Sequence, residues 1–294
     1  LAGIARAVGL GAIHYKHEAG RFGLGSFKAL GGAYAVLRLL KKEILSRTGQ
    51  VASSRDLLEG RFREVVADIT VTCATDGNHG RSVAWGAQVF GCRCVIYIHS
   101  TVSEGRRAAI ARYGAEVVRS SGNYDDAVRA ADAAAREHGR FVVSDTSYPG
   151  YTDVPRDVMQ GYSVMVEEAL RQWPEAAAPT HVFIQGGVGG LAAAVCAPLW
   201  ERLGDQRGRF VVVEPDKAAC LFESAAAGTP VAVHGELDTL MAGLACGEVS
   251  LIAWDVLAAG AADFLTVPDA AAVACMRLLA DAPFGAQPLA ARGA

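Results

Sequence analysis

The chain has 294 residues, and its formal net charge is −3 at pH 7. Domains average roughly 150 residues, so this length predicts one large or two medium domains that bury a sizeable core. Hydrophobic residues make up 51% of the sequence and charged residues 20%. This composition excludes a disordered chain, and the near-neutral charge argues against a surface that binds nucleic acid or an anionic membrane.

The sequence also lacks signals of export and membrane insertion. No apolar run reaches the length of about 18 residues that a membrane span needs, and the first residues do not resemble a secretory signal. The chain begins with Leu1 rather than Met, which favours a fragment or a processed product. The seven cysteines form no C-x-x-C pair, so we expect reduced, mostly buried thiols, no metal site and a cytoplasmic protein.

Segments typical of strands and helices alternate along the chain. Strands are predicted at Val65–Thr72, Cys92–Ile98, Phe141–Val143, His181–Gln185, Phe210–Val213 and Phe264–Val267. Helices are predicted at Ala29–Leu45, Arg81–Phe90, Ser103–Tyr113, Tyr124–His138, Asp157–Gln172, from residue 190 to 203, at Asp216–Ala227 and in the last Ala-rich segment. Short apolar strands between amphipathic helices are typical of parallel sheet that is covered on both faces, so the predicted class is α/β.

The first segment that indicates chemistry runs from Arg21 to Lys28 and leads into a helix. At the start of that helix, the positive end of the helix dipole and burial beside Phe27 both predict a lowered pKa for the Lys28 amine. Such a lysine is a nucleophile suited to a Schiff base with an aldehyde. Gly31 and Gly32 cost helix stability, which indicates a close approach to the backbone there. A surface lysine on an amphipathic helix is the alternative.

The second segment, Thr75-Asp76-Gly77-Asn78-His79-Gly80, lies between a predicted strand and a helix. Its backbone N–H groups predict a small anion pocket, and Asn78 is placed to donate to a ring oxygen. Asp76 would repel a substrate carboxylate unless the substrate also carries an extra ammonium group. A capped tight turn, with His79 packed or solvated, is the alternative.

The third segment, Gln185-Gly186-Gly187-Val188-Gly189-Gly190, connects a predicted strand to a helix and is suited to holding a phosphate group. The spacing of Gly187, Gly189 and Ala192, with Glu214 after the next strand, also fits a dinucleotide site. A simple tight turn explains the glycines as well.

Asp145 follows the predicted strand Phe141–Val143, at the strand end where open α/β sheets bind ligands. It belongs to the irregular stretch Ser144–Pro155, and loops of this length are often functional. A solvated loop carboxylate is the alternative.

Together these segments resemble the pyridoxal-phosphate enzymes of the tryptophan-synthase-β fold, and within them the diaminopropionate ammonia-lyases. The similarity covers about residues 1 to 280. The segments that carry it are Arg21–Gly32, Thr75–Arg81, Met159–Tyr162, Val213–Ala218, Met241–Gly247 and Trp254. The resemblance implies two open, mostly parallel sheet lobes with the cofactor between them. The smaller lobe would comprise residues 35–158, and the larger one residues 1–34 and 159–294.

The resemblance implies α,β-elimination of 2,3-diaminopropionate to pyruvate and two ammonia molecules, with pyridoxal 5'-phosphate as cofactor. Cofactor binding is implied for Phe27, Lys28, Asn78, Gly186, Gly187, Val188, Gly189 and Gly190. Substrate binding is implied for Thr75, Asp76, Gly77, His79 and Asp145. Lys28, Asp76 and Asp145 would be catalytic: Lys28 would carry the Schiff base and serve one face of Cα, Asp76 the other face, and both aspartates would hold the β-ammonium group.

Two departures from the family are visible. Its members carry an additional N-terminal segment and continue past the tail Phe284–Ala294, so we expect a chain that is truncated at both ends. The family is usually dimeric, which implies a homodimer. A serine/threonine dehydratase-like eliminase and a non-catalytic remnant of the family are the alternatives, and a nicotinamide dehydrogenase leaves Lys28 and Asn78 without a role.

Overall fold

The computed structural model describes residues 1–75, 77–122, 124–174 and 177–281. Within them the strands are β1 (Thr70–Ala74), β2 (Arg93–Ile98), β3 (Glu116–Arg119), β4 (Phe141–Val142), β5 (His181–Gln185), β6 (Arg209–Pro215) and β7 (Asp263–Val267). The helices are α1 (Ala2–Ala7), α2 (Lys28–Thr48), α3 (Ser54–Leu58), α4 (Arg63–Ala67), α5 (Asn78–Phe90), α6 (Glu104–Ala111), α7 (Tyr124–His138), α8 (Asp153–Gln172), α9 (Gly190–Leu203), α10 (Cys220–Ala227), α11 (Leu251–Gly260) and α12 (Asp269–Asp281).

The strands form two separate parallel sheets. One has the order β3-β2-β1-β4 and the other the order β5-β6-β7. In the first sheet Val71 pairs with Cys94 and with Phe141, and in the second Val212 pairs with both Ile184 and Phe264. The predicted α/β class with parallel sheet is therefore confirmed. Parallel strands all point their carboxyl ends to one edge, so each sheet offers a single edge for ligands.

Glycines allow three helices to pack very closely between the sheets. A Cβ on Gly31 of α2 would lie 2.7 Å from the Val158 carbonyl oxygen of α8 and against the Tyr162 ring, and one on Gly161 would lie 2.7 Å from Gly31 Cα. A Cβ on Gly32 would collide with the Ser82 side chain of α5. The close approach that Gly31 and Gly32 indicate is thus made by neighbouring helices.

Several predicted boundaries were wrong. Val65 and Val66 belong to α4, in which Val66 is buried in the core, and the strand begins only at Thr70. Helix α10 begins at Cys220 rather than Asp216. The elements that were not predicted are β3, α1, α3, α4 and α11. The N-cap of α6 was predicted correctly, since the Ser103 side chain accepts a hydrogen bond from the next turn.

The predicted lobe boundaries, between residues 34 and 35 and between 158 and 159, fall inside α2 and α8. The division into lobes stays a prediction. Five of the seven cysteines are buried, as expected, while Cys246 is half-buried and Cys275 is exposed. Across the described ranges, no helix combines the length and apolar character needed to cross a membrane.

Candidate active site

The carboxyl ends of β1, β4 and β5 and the start of α2 meet at one cavity of about 1180 Å³. The fold thus brings together side chains that are far apart in the chain. Predicted site residues that line this cavity are Phe27, Lys28, Thr75, Gly77, Asn78, His79, Asp145, Gly187, Val188, Gly189 and Gly190. Asp76 lies outside the described residues. The volume exceeds that of a typical small-ligand pocket, so it has room for a cofactor and a substrate together.

Lys28 and Asp145 form an ion pair in this cavity. Lys28 is the first residue of α2, as predicted, and its Nζ donates a hydrogen bond of 2.6 Å to Asp145 Oδ2. The two side chains are only 23% and 17% exposed. The carboxylate of Asp145 therefore faces the amine that is predicted to act as nucleophile.

The predicted lowering of the Lys28 pKa is wrong for the protein without cofactor. Burial does favour the neutral amine, but the nearby Asp145 carboxylate outweighs it and holds the pKa of Lys28 above its ordinary value. Burial likewise opposes the charge on Asp145, yet its neighbours His79 and Lys28 hold the pKa of the carboxyl well below its usual range. The sequence argument fails because it includes the helix dipole but not a partner 117 residues away.

His79 is packed behind this pair. Its side chain is 7% exposed, its Nε2 donates to the Val143 carbonyl oxygen at 2.7 Å, and its Nδ1 lies 3.7 Å from Asp145 Oδ2. Burial is the main cause of its lowered pKa, so the neutral ring is favoured at pH 7. The alternative of a packed histidine therefore describes the geometry of His79. Its ring nevertheless lies next to the Asp145 carboxylate of the candidate active site.

The loop that contains Asn78, called the asparagine loop below, is held by side chains of its own segment. Thr75 Oγ1 accepts hydrogen bonds from the N–H groups of Gly77 and Gly80, at 3.0 and 3.1 Å. Arg81 donates from Nη2 to Asn78 Oδ1 at 2.8 Å and also to the Leu24 carbonyl oxygen. Because the Asn78 oxygen is used in this way, its amide nitrogen is oriented as a donor. This arrangement is compatible with the predicted contact to a ring oxygen.

The glycine-rich loop connects β5 to α9 at the same cavity. Gly189 has φ +96° in the left-handed region and forms the N-cap of α9. The loop is fixed by a hydrogen bond from the Gly186 N–H to the Val213 carbonyl oxygen and by another from Ser250 N–H to the Val188 carbonyl oxygen, both 2.8 Å. Gly186 packs under side chains of the second sheet, so the other glycines and Val188 form the part that faces the cavity.

Glu214 has a structural position that excludes the dinucleotide alternative. It is 1% exposed, and its carboxylate accepts the N–H groups of Leu221 and Phe222 at 3.0 and 2.7 Å. Burial raises its pKa to about 7, against the lowering effect of these two donors. A carboxylate that caps α10 inside the core is not available to a ribose.

Two residues of this site were missed as candidates. Arg81 orients Asn78, as described above. Tyr162 of α8 lines the cavity, is 2% exposed and packs edge-to-face against Phe27, with ring centroids 5.0 Å apart. The signal for Tyr162 was present in Gly31, which is a glycine because the tyrosine ring occupies the place of its Cβ.

These residues fit a phosphorylated aldehyde cofactor. The Lys28 amine lies in the cavity, and the first N–H groups of α9, which lack acceptors within the helix, are suited to a phosphate. A Cβ on Gly187 would lie 3.3 Å from both Cys246 Sγ and the Gly243 carbonyl oxygen, so a side chain would close the space beside the loop.

The amine, the glycine-rich helix start and the two parallel sheets define a pyridoxal-phosphate enzyme. The family model described as "Pyridoxal-phosphate dependent enzyme" matches residues 1–291, and the chain belongs to that family.

Two curated relatives are diaminopropionate ammonia-lyases. The enzyme from Escherichia coli (strain K12) is 40% identical over 286 residues, which cover 97% of this chain and 70% of the relative. The enzyme from Salmonella typhimurium is 38% identical over 294 residues, covering 97% and 72%. A crystal structure of the Escherichia coli enzyme in complex with D-serine has a TM-score of 0.82 and 38% identity, covering 92% of this chain and 67% of that one.

Proposed function

We propose that this chain is a lyase that converts 2,3-diaminopropionate and water to pyruvate and two ammonia molecules, by pyridoxal-phosphate-dependent α,β-elimination followed by hydrolysis of the released aminoacrylate. The main support is the pairing of Lys28 with Asp145, 2.6 Å apart, in a cavity that also contains the asparagine and glycine-rich loops. A primary amine beside a buried carboxylate suits a substrate that carries a second ammonium group. The likeness to the two ammonia-lyases supports the same substrate.

Lys28 is proposed to hold the cofactor covalently, and Phe27 to contact its ring. The N–H groups around Gly187–Gly190 would hold the phosphate, while the Asn78 amide would donate to a ring oxygen. Gly186 contributes to this loop through its bond to β6. When bound, pyridoxal phosphate supplies an electron sink for the carbanion that forms at Cα.

Proton transfer is assigned to two side chains, Lys28 and Asp76. Lys28, once displaced from the cofactor by substrate, would take the Cα proton from one face, and Asp76 would serve the opposite face. Thr75, Gly77 and His79 are proposed to surround the substrate. Asp145 would hold the β-ammonium group, because an amine leaves readily only in its protonated form.

We also propose where this enzyme acts and how it is assembled. The seven cysteines, all of them free thiols, support a cytoplasmic enzyme. We further propose a homodimer, and a smaller lobe at residues 35–158 with the site between the two lobes.

The deciding experiment is a visible absorption spectrum of the purified chain with pyridoxal phosphate, before and after adding 2,3-diaminopropionate. We expect an absorption band that depends on Lys28, changes with substrate and is followed by pyruvate. The matched control is Lys28→Met, which should remain folded but show neither the band nor pyruvate. A band that responds to L-serine but not to diaminopropionate would favour the dehydratase alternative, and no band would favour the non-catalytic one.

The predicted role of Asp76, as the base on one face of the substrate Cα, can be tested separately. Asp76→Ala is expected to lower turnover of one enantiomer of diaminopropionate by at least about 100-fold, the usual contribution of a general base. Turnover of the other enantiomer should change much less. Equal losses with both enantiomers would contradict a face-specific base.

A further inference from the structure

Tyr162 has a buried hydroxyl group that the fold does not use. The residue is 2% exposed, and its hydroxyl has no hydrogen-bond partner within the described ranges. Buried polar side-chain atoms nearly always have a partner, and a missing one needs an explanation. Because Tyr162 lines the cavity that contains Lys28, the missing partner is best supplied by a ligand.

The packing of α2 and α8 fixes the Tyr162 ring against the first turn of α2, which begins with Lys28. Gly31 lies three residues after Lys28, so both are on the same face of α2. The Tyr162 ring carbon that carries the hydroxyl, Cζ, is 2.8 Å from the place where a Cβ of Gly31 would be. The ring also contacts Phe27, the residue before Lys28. The phenol is therefore held rigidly beside the lysine.

The charges in this cavity indicate which kind of group binds beside Tyr162. The Lys28 ammonium group lies in the same cavity and donates to Asp145 Oδ2 at 2.6 Å. Burial opposes its charge, but Asp145 and then Tyr162 favour it. Burial also raises the pKa of Tyr162, so the phenol stays neutral and offers oxygen lone pairs. The carboxylate of Asp145 and the neutral phenol oxygen of Tyr162 are both hydrogen-bond acceptors, and together they are complementary to a primary ammonium group.

We propose that Tyr162 is a substrate-binding residue that accepts a hydrogen bond from the β-ammonium group of 2,3-diaminopropionate, beside Asp145. The proposal rests on the proposed function, in which the nitrogen of Lys28 is committed to the cofactor and leaves this place to a second ammonium group. Serine has a neutral hydroxyl at its β-carbon. Its binding is therefore favoured less by the same two acceptors, since hydrogen bonds to charged groups are the stronger ones. Tyr162 would thus favour a diamino acid over a hydroxy amino acid.

The test is Tyr162→Phe, which removes only the hydroxyl. Because that hydroxyl has no partner in the fold, the thermal stability of the cofactor-free variant should be unchanged or slightly higher. The cofactor-loaded variant is titrated with diaminopropionate and with serine, following visible absorption to obtain each Kd. We expect Kd for diaminopropionate to rise about ten-fold, the size expected of one bond to a charged group, and Kd for serine to rise less than about three-fold.

The matched control is Tyr97→Phe. Tyr97 is also buried, but its hydroxyl accepts a bond of 3.2 Å from Arg140 and it does not line the cavity. It should leave both substrate titrations unchanged. The affinity of each variant for pyridoxal phosphate itself, measured before substrate is added, separates a cofactor contact from a substrate contact.

Three results would overturn the assignment of Tyr162: no change in either Kd, an equal rise for both substrates, or a loss confined to cofactor affinity. Lower stability of the cofactor-free variant would instead indicate a structural hydroxyl. Failure of the proposed function has a different signature, because then the wild-type protein itself shows no spectral change with diaminopropionate. That result would refute both proposals, whereas a normal wild-type response with an unchanged variant refutes only this one.

Discussion

Asp145→Asn tests whether a buried ion pair controls both stability and chemistry in this cavity. At an effective dielectric constant of about 20, two unit charges 2.6 Å apart attract by about 6 kcal/mol, and the cost of removing both from water offsets part of that. Removing one partner of a buried pair typically costs about 3 to 5 kcal/mol. Because both side chains keep some contact with the cavity, we expect a loss of about 3 kcal/mol at pH 7.

The measurement is urea unfolding of the cofactor-free protein as a function of pH. The folded-state pKa of Asp145 is depressed, so its contribution is present above about pH 4 and is lost as the pH falls through the folded value. The pKa of Lys28 is raised, so its contribution is present below about pH 10 and is lost as the pH rises through the folded value. The difference between wild type and variant should be constant between these limits and shrink in acid.

Two further variants separate charge from packing. Lys28→Met combined with Asp145→Asn removes both charges and should recover much of the stability lost by Asp145→Asn alone. Asp263→Asn breaks an exposed pair with Arg209, at 2.7 Å, and should cost much less. Equal stability of Asp145→Asn and wild type at pH 7, or the same loss at pH 3 as at pH 7, would refute the argument.

Other predictions follow from the same packing and charges. Gly31→Ala should lower the free energy of unfolding by about 1 to 3 kcal/mol, measured in urea, whereas Gly105→Ala, which meets no atom within 4 Å, should be neutral or stabilising. Glu214 should lose about 3 kcal/mol of its contribution to stability as the pH rises from 4.5 to about 7, and Glu214→Gln should abolish that slope. Asp145→Asn should speed the appearance of the cofactor band at pH 7, because Lys28 without its partner is more often neutral; a slower band would contradict this.

The sequence was sufficient for the fold class and for the order of the candidate site segments. Alternation of short apolar strands with helices predicts parallel sheet, and strand ends predict which loops meet. This is why the sequence alone places Asp145 and the Gly186–Gly190 loop at strand ends that bind ligands. Local pattern failed where burial overrides propensity, as at Val65 and Val66, whose β-branched side chains favour a strand but lie in α4.

The site's electrostatics could not be predicted in the same way. A pKa depends on the charges within a few ångströms, and the charge that matters for Lys28 comes from a residue 117 positions later in the chain. The helix dipole and burial were visible from the sequence, but the opposing carboxylate was not. Glu214 shows the reverse error, because its position after a β-rich run suggests a ligand contact while tertiary packing commits it to the start of α10.

Gly31 connects the fold to the side chains of the site. Gly31 predicts a close approach, yet the sequence does not say what approaches. In the structure the approaching group is Tyr162, and its ring could not lie there beside any larger residue at position 31. One glycine therefore sets both the α2–α8 packing and the place of a buried hydroxyl next to Lys28. A residue that lowers helix stability is thus required for the position of Tyr162, for which we propose a role in binding a second ammonium group.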